Sequence, residues 1–452
     1  MRDIALALIF AGLMPVALFR PFIGALTFAV ISLSNVHRLT WGFAFSQPWA
    51  LIFALLTILG LATTRERDIG DSVKRYFPVL LYLAWMTVTT AFAFERGEAV
   101  VQLEKVMKIH LMCVVTLSLL TTWPRIEQLA WVSICSIGFY GLKGGVFTLI
   151  NGGEFIVWGP KDSAIQDNNH LAVGLVMMLP MMYWLYVQAR KTWLKLLVAF
   201  SALMSAVSVF GSHSRSAFLG IAAMSVFMMA KSRHKLVIAI VMVIGATILV
   251  PFMPQSYWNR MASIETYQQD SSAMGRINAW WTAYAIAKDR ITGGGFELYS
   301  PRVFARYAPN PTDIHSSHSI YFQALGEHGW IGLAMFLFIL LYIWMQCRKV
   351  TRLAPPTPDG RAQALLAKMI QASLIGLMVG GAFVNIGNWD MVYYLAILAF
   401  GTARVVGAEA KDRRLANATA SATPAPFGAP AGGMPAPNAL RVDPLGPPAH
   451  SR

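Results

Sequence analysis

Apolar stretches of roughly 14 to 28 residues follow one another along almost the whole chain, separated by short polar connections. About 20 residues of helix cross the hydrocarbon core of a bilayer, and a helix satisfies its backbone hydrogen bonds within itself. The pattern predicts an all-α, polytopic integral membrane protein. Of its 452 residues 56% are hydrophobic and only 13% charged, whereas a soluble domain carries about 25% charged residues. Twelve spans are predicted, at 4–34 (one broken span or two short ones), 49–64, 78–95, 104–121, 129–150, 170–189, 195–211, 216–231, 235–252, 319–346, 364–384 and 390–406. The first is interrupted by Pro15, Arg20 and Pro21 and has no small-residue cleavage site, so it is expected to stay as an anchor.

The formal net charge of +15 raises the question of nucleic acid, but the basic residues sit in short loops and form no continuous face. They report orientation instead, because short loops rich in Lys and Arg stay cytoplasmic. Arg65, Arg67, Lys74 and Arg75; Arg190, Lys191 and Lys195; Lys231, Arg233 and Lys235; and Arg348, Lys349, Arg352 and Arg361 all fall on one side of the span list, as do Lys411, Arg413 and Arg414. Segments 35–48, 152–169, 212–215 and 253–318 then face outward. The expected organisation is transmembrane helices over 1–252, an outer cap over 253–318, further transmembrane helices over 319–406 and a disordered Ala/Pro/Gly tail over 407–452. Cys113, Cys135 and Cys347 lie in or at the ends of apolar runs, in no metal-ligand spacing.

The 253–318 segment is too long for a simple connection and reads as a small folded cap. Asp270, Ser271 and Ser272 offer helix caps, the run Ala273 to Ala287 follows with Arg276, Trp280 and Tyr284 at i, i+4 spacing, and Gly293-Gly294-Gly295 ends it. Its aromatics, including Tyr257, Trp258, Trp280, Trp281, Tyr284, Phe296 and Tyr299, suit a bilayer interface.

Ionisable groups near lipid are expensive and mark function. Arg215 stands in the polar break Gly211-Ser212-His213-Ser214-Arg215-Ser216, Arg276 on the cap helix, and His318 where the cap re-enters the membrane. Guanidinium forks can hold a diphosphate, and an imidazole near its pKa can take a hydroxyl proton. No metal is then needed; the chain has no Asp-x-Asp pair, and loop 35–48 has no carboxylate. Each residue alone also fits an ordinary role. Arg215 could be an interfacial anchor, Arg276 an ion-pair partner of Asp270, and His318, like His315 and His328, a satisfied helix-start residue. Secondary candidates are Lys105, Lys108, Lys143, Asp167, Tyr321 and Asp390, the lysines being equally suited to snorkelling.

The Ser-x-Ser-Arg element ending at Arg215, the Gly-Arg-x-x-x-Trp element of Gly275 to Trp280, and His-Ser-x-Tyr-Phe-Gln-x-Leu-Gly-Glu-x-Gly at 318–329 resemble the O-antigen ligase family, over about residues 160–346. The opening Met1-Arg2-Asp3, the Asn35 to Gly42 stretch and Asp167-Asn168-Asn169 are similar to the exosortase-associated branch of that family. The resemblance implies a GT-C-like, metal-independent, inverting glycosyltransferase of a bacterial inner membrane, without cofactor, its active site facing the periplasm. The implied donor is an undecaprenyl-diphosphate-linked glycan and the implied acceptor a lipid A core oligosaccharide. By the same resemblance Arg215 and Arg276 engage the diphosphate and His318 is the essential histidine. Ser319 stands where the family commonly has Asn, and related polymerases and protein-glycosylating ligases share the pattern, which leaves the acceptor open. A transporter is disfavoured: no inverted repeat is visible and the best charges gather at one face.

Overall fold

The computed structural model describes residues 1–231, scattered positions between 235 and 255, and 271–422. The predicted span at 235–252, Asp270, Tyr257, Trp258 and the end of the tail therefore lie largely or wholly outside the described residues. Among the described residues the chain is built of helices, with no strand. They are α1 (Arg2–Phe19), α2 (Pro21–Ser34), α3 (Trp49–Thr63), α4 (Ile69–Ala91), α5 (Arg96–Leu119), α6 (Trp123–Ile150), α7 (Asn168–Gln188), α8 (Thr192–Gly211), α9 (Arg215–Lys231), α10 (Ser271–Asp289), α11 (Pro301–Tyr307), α12 (Ile320–Leu353), α13 (Pro358–Gly380) and α14 (Asp390–Ala422). One compact unit takes in Met1–Ala410, and Lys411–Arg452 form a second.

Each predicted span within the described residues coincides with a helix. Region 4–34 is two helices, because Arg20 leaves the helical conformation and Pro21, which has no N–H to donate, starts the next one. Among the described residues seven helices are long and apolar enough to cross a membrane, and α2 and α3 are apolar but shorter. The count of twelve is not reached on that measure: α4 opens on Asp71, Lys74 and Arg75, α5 carries Glu98, Glu104, Lys105 and Lys108, and α9 is only 17 residues long. The arrangement is that of a multi-pass membrane protein.

Two sequence expectations shift. The cap helix ends at Asp289, before the three glycines, and the short helix α11 follows them. The last helix runs on to Ala422, where a disordered tail was expected from residue 407. Residues 407–422 are rich in Ala with Glu, Lys, Arg and Leu, all strong helix formers, and hold no proline.

The first turns of α14 are apolar all round, and Met391, Tyr393, Leu395, Ile397 and Phe400 are fully buried. Other helices approach through glycine. On α6, Gly141, Gly144 and Gly145 face Ser205, Ser208 and Met204 of α8, and a Cβ on Gly145 would lie 2.1 Å from the Met204 carbonyl oxygen. Small residues let helix backbones meet where lipid supplies no hydrophobic drive. Gly145→Val should therefore force α6 and α8 apart, costing about 1–3 kcal/mol as overpacking does; a lower melting temperature of the purified protein is the readout.

A second glycine contact shapes the segment between α10 and α12. The helical path of α12 breaks at Gly329, with φ 69° and ψ −172°. Against that break lies Gly293–Gly295: Gly294 N–H donates to the Gly326 carbonyl and Gly295 N–H to that of Glu327, both at 2.8 Å. Gly293 and Gly329 are left-handed, and a Cβ on either would meet the other segment's backbone, at 2.6 Å from Gly329 N for Gly293 and 2.3 Å from the Ile291 carbonyl oxygen for Gly329. Helix α4 and the turn after it join them, since Phe94 N–H of that turn donates to Gly294 O (2.9 Å) and Trp85 Nε1 of α4 to His328 O (2.9 Å).

Candidate functional site

One end of the bundle collects the starts of α7, α9 and α12 and the end of α8. Asp167 caps α7, its carboxylate accepting from Asn169 N–H (2.8 Å) and His170 N–H (3.3 Å). The next residue ties α7 to α8: Asn168 Nδ2 donates to the Ser212 carbonyl (2.7 Å). From Ser212 the chain turns through His213, at φ 53°, whose Nε2 donates to Gly153 O (2.9 Å), and Arg215 opens α9. Gly220 of α9 packs on Gly376 and Gly380 of α13, and Gly381 meets Ile320 at the start of α12.

Helix α10 holds the approach to His318 from the other side. Asn278 Nδ2 donates to the carbonyls of Asn310 (2.8 Å) and Asp313 (2.9 Å), and its Oδ1 accepts from Asn310 N–H (2.9 Å). Trp280 donates its indole N–H to Ser317 O (2.6 Å) and stacks on Phe322, ring centroids 5.0 Å apart and 7° from parallel. The residues on either side of His318 are thus fixed to the helix that carries Arg276. Ser319 caps α12 by accepting from Phe322 N–H, so the departure from Asn preserves a capping function.

His318 is left-handed, with φ 41°, a conformation that costs a non-glycine residue about 1–3 kcal/mol and concentrates at functional sites. Its Nδ1 is buried with no hydrogen-bond partner. Burial, and then the charge of Arg276, lower its pKa from 6.5 to about 4; His170 and His315 push the same way and Asp167 opposes them. The imidazole is neutral at pH 7 and able to accept a proton. For a reaction in which His318 is the base, log kcat/KM should stay level down to about pH 4, instead of falling below about 6.5 as for an ordinary histidine. A pH profile of the purified protein with a break near 6.5 would contradict this environment.

Of the sequence candidates, His318, Arg276 and Asp167 come together. Arg215 reaches the same end of the bundle through the Asn168–Ser212 link. Tyr321 donates its hydroxyl to Met378 O (2.8 Å) and joins α12 to α13. Asp390 is buried, accepts from Ser32 Oγ and feels the charge of Lys105. Lys108 pairs with Glu104 on the exposed face of α5, and Lys143 is exposed on α6. His170 was missed. Its Nδ1 donates to Ala164 O (3.1 Å), and its Nε2 is buried with no hydrogen-bond partner. The signal was its place directly after the capping motif Asp167-Asn168-Asn169.

Residues 199–337 match the family model described as O-antigen ligase, and this stretch holds Arg215, Arg276 and His318. The chain carries an O-antigen ligase domain. Residues 1–190 match a family of unknown function, and no curated protein matches the chain. The O-antigen ligase domain supplies Arg276 and His318, while Asp167 and His170 come from the N-terminal family's segment, so the site draws on both. A membrane enzyme of the glycan ligase or polymerase type follows from the domain.

Proposed function

We propose that the chain is an O-antigen ligase of a bacterial inner membrane, transferring a glycan from undecaprenyl diphosphate to a sugar of the lipid A core on the periplasmic face. The observation that carries this reading is the half-buried His318, its Nδ1 buried without a hydrogen-bond partner and under the charge of Arg276, inside a domain of the O-antigen ligase family. The acceptor hydroxyl gives its proton to His318 as its oxygen attacks the anomeric carbon. The bond from that carbon to the diphosphate breaks, inversion follows, and undecaprenyl diphosphate leaves with its new charge held by Arg276 and Arg215. Guanidinium groups fixed where charge develops act without reorganisation at the moment of reaction. No cofactor or metal takes part.

The outward orientation has support in the helix lengths. Asp167 sits at one end of α7, whose 21 residues rise about 30 Å, and the basic residues Arg190 and Lys191 lie beyond the other end. Positive loops mark the cytoplasmic side, which supports a periplasmic position for His318.

The lipopolysaccharide of a deletion strain tests the reading. A ligase predicts loss of the O-antigen ladder with carrier-linked glycan accumulating. A ladder reduced to a single repeat would make the chain a polymerase, and an intact ladder with loss of glycan from secreted protein would make it a protein-glycosylating ligase.

A further inference from the structure

About two turns into α12, Glu327 is buried, at 4% exposure. One of its oxygens, Oε1, accepts from Gln323 Nε2 at 3.4 Å, while Oε2 has no hydrogen-bond partner. Among the described residues no Lys or Arg comes within ion-pair distance of it, and the charge that acts on it is that of a second carboxylate, Glu297. His328 is the ionisable side chain at that range: its Nε2 lies 3.7 Å from Oε2 and is likewise without a partner. That nitrogen is an acceptor. Thr89 Oγ1 gives its hydrogen to Met86 O (2.9 Å), so it accepts from His328 Nδ1–H (2.8 Å) and leaves Nε2 bare. Gln323 Oε1 is a third unpartnered acceptor, since the opposite amide orientation would turn oxygen against Glu327 Oε1. Gln323 and Glu327 line a cavity of about 10 Å³ with Tyr82 of α4, Phe336 of α12, and Gly387 and Asn388 before α14. Such a volume admits one water-sized occupant.

We propose that this cavity binds a sodium ion, held by Glu327 Oε2 and Gln323 Oε1, with Asn388 and Tyr82 as further oxygen ligands in the lining. Two of the three unpartnered acceptors belong to the lining and the third lies beside one of them, so the occupant must be positive. A proton on Glu327 satisfies one acceptor and leaves the others, because 3.7 Å to His328 Nε2 is beyond hydrogen-bond reach. A water brings two hydrogens and no charge, and an isolated buried carboxylate is costly to ionise. A divalent ion does not fit: Ca²⁺ takes about six to eight oxygens and Mg²⁺ keeps several waters, for which the cavity has no room. One carboxylate balances one positive charge. The site joins α4, both sides of the Gly329 break and the turn leading to α14, so the ion fastens the elements that set the start of α12. None of the lining residues is assigned to the displacement, and the inference stands without the transferase reading.

The test uses the full-length protein in lipid nanodiscs, with NaCl exchanged stepwise for choline chloride at constant ionic strength. The wild type should melt about 1–3 °C higher for each tenfold rise in Na⁺ above its Kd. It should also bind radioactive sodium that excess NaCl displaces and choline does not. Glu327→Gln keeps the shape and removes the charge; it should bind no sodium and melt at the same temperature in either salt. Glu297→Gln, at an exposed position, should keep both responses. Gln323→Met removes an oxygen and keeps the carboxylate, so it should raise the sodium Kd about tenfold or more, and it carries the test if Glu327→Gln does not accumulate. Equal melting of the wild type in Na⁺ and choline, absence of sodium binding, or a Glu327→Gln protein that still responds to Na⁺ would overturn the proposal.

Discussion

His318→Ala should lower glycan transfer about 10²–10⁴-fold, the contribution of a positioned general base, while the protein remains folded and in the membrane. The backbone on either side is held without it, by Trp280 on Ser317 O and by the Ser319 cap, and its own Nδ1 makes no hydrogen bond, so its removal takes away chemistry and little packing. Two neighbours serve as controls with opposite outcomes. His315 is half exposed beside Asp313, at 2.8 Å, and His315→Ala should keep most of the activity. His328 is 1% exposed, its Nδ1 is 2.8 Å from Thr89 Oγ1, and its ring packs edge-on against Phe296 and Tyr82. His328→Ala should reduce the amount of folded protein without changing turnover per folded molecule. Near-normal transfer by His318→Ala at matched protein levels would remove it as the base.

Arg276→Lys and Arg215→Lys should each cut transfer about ten- to a hundredfold, the loss of one or two charge-assisted hydrogen bonds of about 1.5–3 kcal/mol. Lysine keeps the charge but offers a compact ammonium in place of a planar fork, so the swap separates diphosphate recognition from an anchoring role that needs charge alone. Arg276→Lys has a second expected effect. Arg276 is the strongest charge acting on His318, and the substitution keeps that charge, so the acid limb of the pH profile should stay near 4 while donor affinity falls. Arg348, exposed near the end of α12 in the basic loop, is the control: Arg348→Lys should change nothing. Donor binding and turnover of all three variants decide the matter. If Arg215→Lys and Arg276→Lys behave like Arg348→Lys, both residues are anchors and the diphosphate is held elsewhere.

The helices could be read from sequence because each long apolar run has one physical solution in lipid, and even the break at Arg20 and Pro21 was visible. What the sequence hid are long-range hydrogen bonds. Nothing in the spacing of Asn278 announces that its amide gathers Asn310 and Asp313, 32 and 35 residues on, or that Trp280 ties down Ser317. His318 and Arg276 were legible as charges at the edge of apolar runs. His170 was not, because a histidine one turn into a helix reads as an ordinary polar residue until Asp167 and His318 are seen beside it. Tyr321 and Lys108 went the other way: they looked available in sequence, and partners that sequence spacing leaves undetermined or local occupy both.

The meeting of Gly293–Gly295 with the break at Gly329 also governs how such proteins can be recombined. Backbone atoms lie too close for a Cβ on Gly293 or Gly329, and the register is fixed by Gly294 on Gly326 and Gly295 on Glu327. A chimera that imports the segment between α10 and α12 alone would set a foreign loop against a kink it was not matched to. The exchangeable module runs from Ser271 through Gly329 and takes with it the last turns of α4 and the turn after it, where Trp85, Thr89 and Phe94 close the same junction. Within that module, variation on the exposed face of α10 leaves the junction untouched, so specificity can diverge there while the scaffold is inherited whole.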